Sequence, residues 1–269
     1  MGVTTFERCD FHVHTELSGE KQAEGFTIER LFAEADALGL SHVGYSEHWK
    51  TTTSPDQFLR IRDEVERLQP HHRVKVFVSA EIDALNSRGD LSCDIDQAEE
   101  ILDYVSVAIS HYGAPGSEQL LPDRVDDTVA MIEAVCRIPA VTMLMHPQIV
   151  YGRSLYEIQA EVPADVYADV MKTIVTYDKV VDYPSVLMCR SWLREMGLDE
   201  EKLEVERKSF DHFTDQLVRN GVRLAPGSDA HNVFWHDGSA RWFGNNEQSF
   251  ALLRSHGYTD DQLWTVENR

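Results

Sequence analysis

Along the chain, short apolar runs alternate with longer stretches in which apolar residues recur every three or four positions. That alternation predicts repeated strand–helix units and a parallel sheet. Seven runs read as strands, at about 7–12, 42–46, 74–81, 103–110, 140–146, 184–190 and 222–228. The helical period predicts helices over 27–38 with Thr27 as N-cap, 54–68, 122–137, 164–181 and 199–219, the last ending before Gly221. Two more are expected to close the chain, near 246–255 and 259–267.

No linker-like Gly/Ser/Pro stretch, low-complexity tract or repeat divides the sequence, so residues 1–269 are expected to form one domain. With 42% hydrophobic residues the chain can bury a substantial core. A doubly wound sheet should carry a Gly-rich phosphate loop after its first strand, whereas FHVHTELSGE holds a single Gly. The expected fold is therefore α/β, a single distorted (β/α)7 barrel of TIM type, closed or nearly so.

The polar exceptions to the strand pattern carry the chemistry. His12 and His14 end the first strand, Glu47 and His48 the second, and Glu81 the third; His111 follows the fourth, His146 ends the fifth, and Asp229 and His231 follow the seventh. In a parallel barrel the C-terminal strand ends share one mouth, so these residues should converge there despite their separation in sequence. Imidazoles with carboxylates are a ligand set for zinc, manganese or iron, and two or three divalent ions are expected. Residues i and i+2 of a strand share a face, so His12 with His14 can chelate one ion, and Asp229 with His231 repeat the spacing. A lone HxH, His111 or His146 is more often structural; six strand ends sending such groups to one mouth favour the metal reading. Glu81 leaves an apolar strand, FVSAEIDAL, where an unpaired charge is costly; a position bridging two cations, or a salt bridge to an arginine, would account for it.

Charge narrows the partners. Lys and Arg number 25 against 46 Asp and Glu, a formal charge of -21, which disfavours long nucleic acids and anionic membranes. Cys9, Cys93, Cys136 and Cys189 form no CxxC pair, and no apolar run approaches a membrane span. A cytoplasmic, unanchored protein is expected; monomer and small homo-oligomer both remain open.

Taken together and in order, FHVHTELSG, GYSEHW, SAEID, ISHYG, LMHPQ and APGSDAH resemble the motifs of the polymerase and histidinol phosphatase (PHP) superfamily, over about residues 9–232. The resemblance implies a distorted seven-stranded barrel. It implies one metal held by His12, His14, Glu81 and Asp229, a second by Glu81, His111 and His146, and a third by His48, His231 and a residue of the first loop. The chain departs from the family there: SGEKQAEG puts Glu20 where histidinol phosphatases tend to carry histidine, and Glu47 stands where Asp is usual. A carboxylate at Glu20 would favour a harder ion such as manganese, or leave the third site weakly filled.

The activity implied is hydrolysis of a small phosphate monoester, with histidinol phosphate the leading candidate, by attack of a metal-activated hydroxide on phosphorus. Glu81, Asp229 and His231 are the expected catalytic residues; the leaving alkoxide needs a proton from a metal-bound water or a nearby acid, and His231 or His48 could serve if the third metal is absent. Arg88, Arg153, Arg190 and Lys50 are candidates to bind the phosphate, Arg190 foremost because it ends the strand lacking a metal ligand. A phosphodiesterase or exonuclease acting on a nucleotide or short oligonucleotide is the alternative, and a non-catalytic metal-binding barrel a third. The aromatic loop 233–245, with Trp235, Trp242 and Phe243, could stack on a ring substrate or pack against the barrel, the latter being the more usual role.

Overall fold

The computed structural model describes residues 5–109, 125–147, 164–184, 199–235, 238 and 240–268. Seven strands follow one another around the sheet in chain order: β1 (Cys9–Val13), β2 (His42–Trp49), β3 (Lys75–Asp83), β4 (Val105–Ala108), β5 (Val141–Met145), β6 (Val180–Pro184) and β7 (Arg223–Gly227). All neighbouring pairs are parallel. Just beyond the end of β1, Val13 bridges Ala230, and the His14 amide donates to the Ala230 carbonyl at 2.8 Å. The sheet is thus a nearly closed α/β barrel, as the strand pattern predicts.

Capping residues and apolar spacing set the first two helices. In α1 (Ile28–Leu38) the Thr27 side chain accepts from the Arg30 amide, Ile28, Leu31, Phe32 and Ala35 face the sheet, and Gly39 at φ 70 ends the helix in a left-handed turn. In α2 (Pro55–Leu68) Ser54 caps, Pro55 opens the first turn, and Phe58, Ile61, Val65 and Leu68 are buried. The remaining helices of the described residues are α3 (Ile95–Ile101), α4 (Val125–Cys136), α5 (Ala164–Thr176), α6 (Glu200–Arg219) and α7 (Glu247–Ser255). None is long and apolar enough to cross a membrane.

Three elements differ from expectation. The short α3, capped by Asp94, buries only Ala98 and Ile101, too few apolar positions to show a period. The helix expected to run to 181 stops at Thr176; Asp178, at φ 53, turns the chain and β6 begins at Val180. Val180 and Val181 continue the helical spacing of α5, yet they pair with Met143 and Leu144 of β5. The sixth strand is therefore displaced from the expected 184–190, most of which lies outside the described residues.

The third difference is the C-terminal segment. Instead of a helix over 259–267 there are two short 3-10 turns, and between them Leu263 bridges Leu224 of β7 while the Trp264 amide donates to the Leu224 carbonyl. This extended register delivers Trp264 to a cluster with Cys9, Phe11, Tyr104, Met143, Val180 and Ala225. Its ring meets those of Phe11 and Tyr104 edge-on, at 5.2 and 5.1 Å between centroids. These residues sit at or near the N-terminal strand ends and close the floor of the barrel. The opposite end, where the strands finish, is left to polar residues.

Candidate metal centre

His12 and His14 flank the end of β1, where the pairing with β2 shifts register between Asp10 and Val13. A bulge of this kind re-aims side chains next to a site. The two Nε2 atoms lie 3.1 Å apart. Both face Asp229 Oδ1, at 3.4 and 3.3 Å, and Glu81 Oε2, at 3.8 and 3.4 Å. Glu81, buried on β3, also reaches His48 Nδ1 at 2.9 Å and, through its other oxygen, His146 Nε2 at 2.9 Å. One carboxylate thus stands among four imidazoles.

Glu20, in the loop after β1, reaches His231 Nε2 at 3.2 Å and His48 Nε2 at 3.7 Å. The rings of His48 and His231 both stack on His14, at 4.5 and 4.2 Å. Among the described residues, three sets place one ligand atom per residue within 4.8 Å of one another: His12, His14 and Glu81; His12, His146 and Asp229; and His14, His48 and His231. Two of these residues, His146 at φ 34 and Asp229 at φ 52, adopt left-handed backbone, a conformation that typically costs about 1–3 kcal/mol and concentrates at functional sites.

Opposed charges shift the titrations. Burial alone would depress the His12 imidazolium, but Asp229 and Asp182 push it well above its ordinary value. His48 is likewise raised against burial, to about 10, by the charge of Glu81 and a hydrogen bond to Glu20. Glu20 is lowered to about 2, first by that same bond to His48. His231 falls to about 4 through burial and the neighbouring His14.

Of the residues expected in the mouth, the structure brings together His12, His14, Glu20, His48, Glu81, His146, Asp229 and His231. His111, Arg153 and Arg190 lie outside the described residues. Glu47 lies outside those three sets. Its Oε1 lies 3.4 Å from Nδ1 of His14, the nitrogen away from the cluster, and its Oε2 accepts from Tyr45 at 3.0 Å and from the Thr15 amide at 3.4 Å. Because β2 runs through Trp49 rather than ending at 46, period two places Glu47 and His48 on opposite faces, and only His48 stands in register with Glu81. Arg88 is exposed on the loop after β3 and pairs with Asp90 at 3.4 Å. Of the loop aromatics, Trp235, Trp242 and Phe243 are buried: Trp235 stacks on Trp242 at 4.0 Å, and the Trp242 indole donates to the Ser228 carbonyl.

Asp182 on β6 lies outside the sequence-predicted set. It is fully buried, and its Oδ2 lies 2.8 Å from His12 Nδ1. The sequence signal is an acid inside the apolar run VVDY, the same anomaly as at Glu81, hidden because the two valines continue the helical spacing of α5. Asp10, also fully buried, accepts from the Ser228 and Gly244 amides at 2.8 and 2.9 Å and so fixes the turn that carries Asp229.

No family model and no curated protein matches the chain. Among solved structures, its fold resembles that of a candidate histidinol phosphatase from Listeria monocytogenes, at 11% identity and a TM-score of 0.50, over 83% of this chain and 95% of that one. An archaeal ribonuclease P structure with mature tRNA matches at 8% identity and a TM-score of 0.49, over 93% of this chain and 92% of that one. A Xaa-Pro dipeptidase with bound methionine matches at 10% identity and 0.47, over 93% and 70%. The first likeness concerns the barrel fold alone, and the other two add nothing to it.

Proposed function

We propose that this protein is a metal-dependent hydrolase of small phosphate monoesters, with histidinol phosphate the leading substrate, and that it belongs with the polymerase and histidinol phosphatase superfamily. The observation that carries the reading is Glu81, a buried carboxylate with His12, His14, His48 and His146 within 3.8 Å. Such a group suits a bridge between two divalent cations of the zinc, manganese or iron kind.

The donor set fits these ions. His12, His14, Glu81 and Asp229 would hold one; Glu81 and His146, with His111, a second; and His48, His231 and Glu20, beside His14, a third. When bound, the ions supply Lewis acidity, polarising phosphoryl oxygens and yielding a nucleophile from water at neutral pH. The side chains fix where that chemistry occurs: the two β1 histidines and Asp229 set one pole, and His146 the other. His48, 2.9 Å from Glu81 and 3.7 Å from Glu20, is a candidate beside His231 to give a proton to the leaving alkoxide when the third position is empty. A net charge of -21 supports a small phosphate ester over a long polyanion, since only local cations offset the repulsion.

The test is phosphate release from histidinol phosphate beside p-nitrophenyl phosphate, its bis-ester and AMP, with bound metals quantified, in wild type, His14→Ala and Glu81→Ala. Turnover of histidinol phosphate that both variants abolish is expected. Preference for the diester or the nucleotide would move the assignment to a phosphodiesterase. No metal and no turnover would end the hydrolase reading.

A further inference from the structure

We infer that Asp182 is the positioning residue for His12, and that Gly227 provides the space their pairing needs. The inference rests on the metal-centre reading above and adds to it a residue that belongs to none of the ligand groups. Both side chains are fully buried, and Asp182 Oδ2 lies 2.8 Å from His12 Nδ1. The opposite ring nitrogen, Nε2, is the atom that faces His14, Asp229 and Glu81. A neutral imidazole that donates its Nδ1–H to a carboxylate must present the Nε2 lone pair on the other side. One contact therefore sets both the tautomer and the angle of the ring.

The way Asp182 reaches His12 argues that the contact is built. Strand β7 separates β6 from β1 in the barrel, so the carboxylate has to pass a strand to touch an imidazole on the next. It does so at Gly227: a β-carbon there would overlap Asp182 Oδ1 and stand 2.8 Å from the His12 β-carbon. Three strands are thus committed to one ring. The arrangement also has a cost, because Asp182 Oδ1 is buried without a hydrogen-bond partner among the described residues. Packing alone would favour an apolar residue at that place, as Val180 and Val181 show two positions and one position earlier. The bulge in β1 supplies the need: where the backbone register shifts between Asp10 and Val13, the backbone alone does not hold the His12 ring, and a carboxylate from across the barrel does.

The experiment measures zinc affinity by competition with a chromophoric chelator, and the protons on the His12 ring nitrogens by long-range nitrogen–proton correlation on isotope-labelled protein, both metal-free, where the wild-type ring carries both protons, and zinc-loaded, where the neutral ring shows its tautomer. Wild type, Asp182→Asn and Asp182→Leu are compared, each first shown to melt cooperatively. Asp182→Leu is expected to weaken zinc binding by about 10- to 100-fold and to release His12 from the Nδ1–H form. Asp182→Asn still offers an oxygen to that N–H; it is expected to keep the tautomer and to lose less affinity. Should the Leu variant fail to melt cooperatively, Gly227→Ala, which displaces the carboxylate without altering it, takes its place and must show the same two changes. Wild-type zinc affinity with an unchanged tautomer in the variant would overturn the proposal. A wild type that keeps the Nδ1–H but takes up no zinc would overturn the metal-centre reading instead, and loss of that proton in the variant would still uphold the orientation of His12 by Asp182.

Discussion

His48 and Glu81 stand opposite one another in the β2–β3 register, and their side chains meet across it at 2.9 Å, imidazole Nδ1 to carboxylate Oε2. This pairing gives metal uptake a defined pH dependence. Against burial, Glu81 and Glu20 raise His48 to about 10, so the metal-free protein carries it protonated at neutral pH. A ligand must be neutral, so binding at the His48 position displaces that proton. Affinity should rise as pH rises from 7 toward 10, about tenfold per unit for one proton released. In the metal-free protein the sign is opposite. A histidine raised in the folded state stabilises the fold fully below its free value of 6.5 and loses that contribution as pH climbs through about 10. Calorimetric titration of metal in buffers of differing ionisation enthalpy would count the released protons, and because His12 is raised as well, His48→Gln should release one fewer than the wild type rather than none. Uptake without proton release in the wild type would sink the pairing as described.

Glu81→Gln keeps shape and removes charge from the point where four imidazoles converge. Bound metal should fall by at least one ion per chain, and phosphatase activity by roughly 100-fold or more, equivalent to about 3 kcal/mol of the charge stabilisation metals supply. Elemental analysis beside kinetics checks both. Full metal content in this variant would rule out the bridging role.

Much of this mouth is legible in the sequence because strands that end in histidine or acid interrupt an otherwise apolar rhythm. His12, His14, His48, Glu81, His146, Asp229 and His231 all stand out that way. Thr27 and Ser54 mark their helices because a capping side chain acts locally, within three residues. What the sequence conceals is decided by tertiary pairing. Val180 and Val181 satisfy the helical period of α5 as well as they satisfy a strand, so only their partners on β5 and β7 settle the matter, and Asp182 stays hidden with them. Trp264 is similar: the pattern near the C-terminus suits a helix, and the bridge to Leu224 overrides it.

The floor of the barrel yields a prediction about stability alone. Trp264 is fully buried against Phe11 and Tyr104, at the end remote from the candidate metal ligands. Trp264→Ala should cost about 3–5 kcal/mol in denaturant unfolding, the usual range for deleting a large aromatic from a core. Metal stoichiometry of the folded protein should stay the same. A loss below about 1 kcal/mol would mean that the segment after α7 is not part of the core.

Glu47 separates two roles that sequence alone merges. As a ligand, its loss would remove an ion; as a support for His14, it would leave every ion in place and loosen one. The carboxylate contacts Nδ1 of His14 at 3.4 Å and is itself held by the Tyr45 hydroxyl and the Thr15 amide, so the second role is expected. Glu47→Gln should weaken metal binding by about 10- to 100-fold without changing the stoichiometry at saturation. Tyr45→Phe removes one hydrogen bond to that carboxylate and should have a smaller effect in the same direction, about 1 kcal/mol. Chelator competition reads the affinity and elemental analysis reads the count. Loss of a whole ion from the Gln variant, at saturating metal and with the fold intact, would return Glu47 to the ligand shell and require its side chain to turn toward the mouth when metal binds.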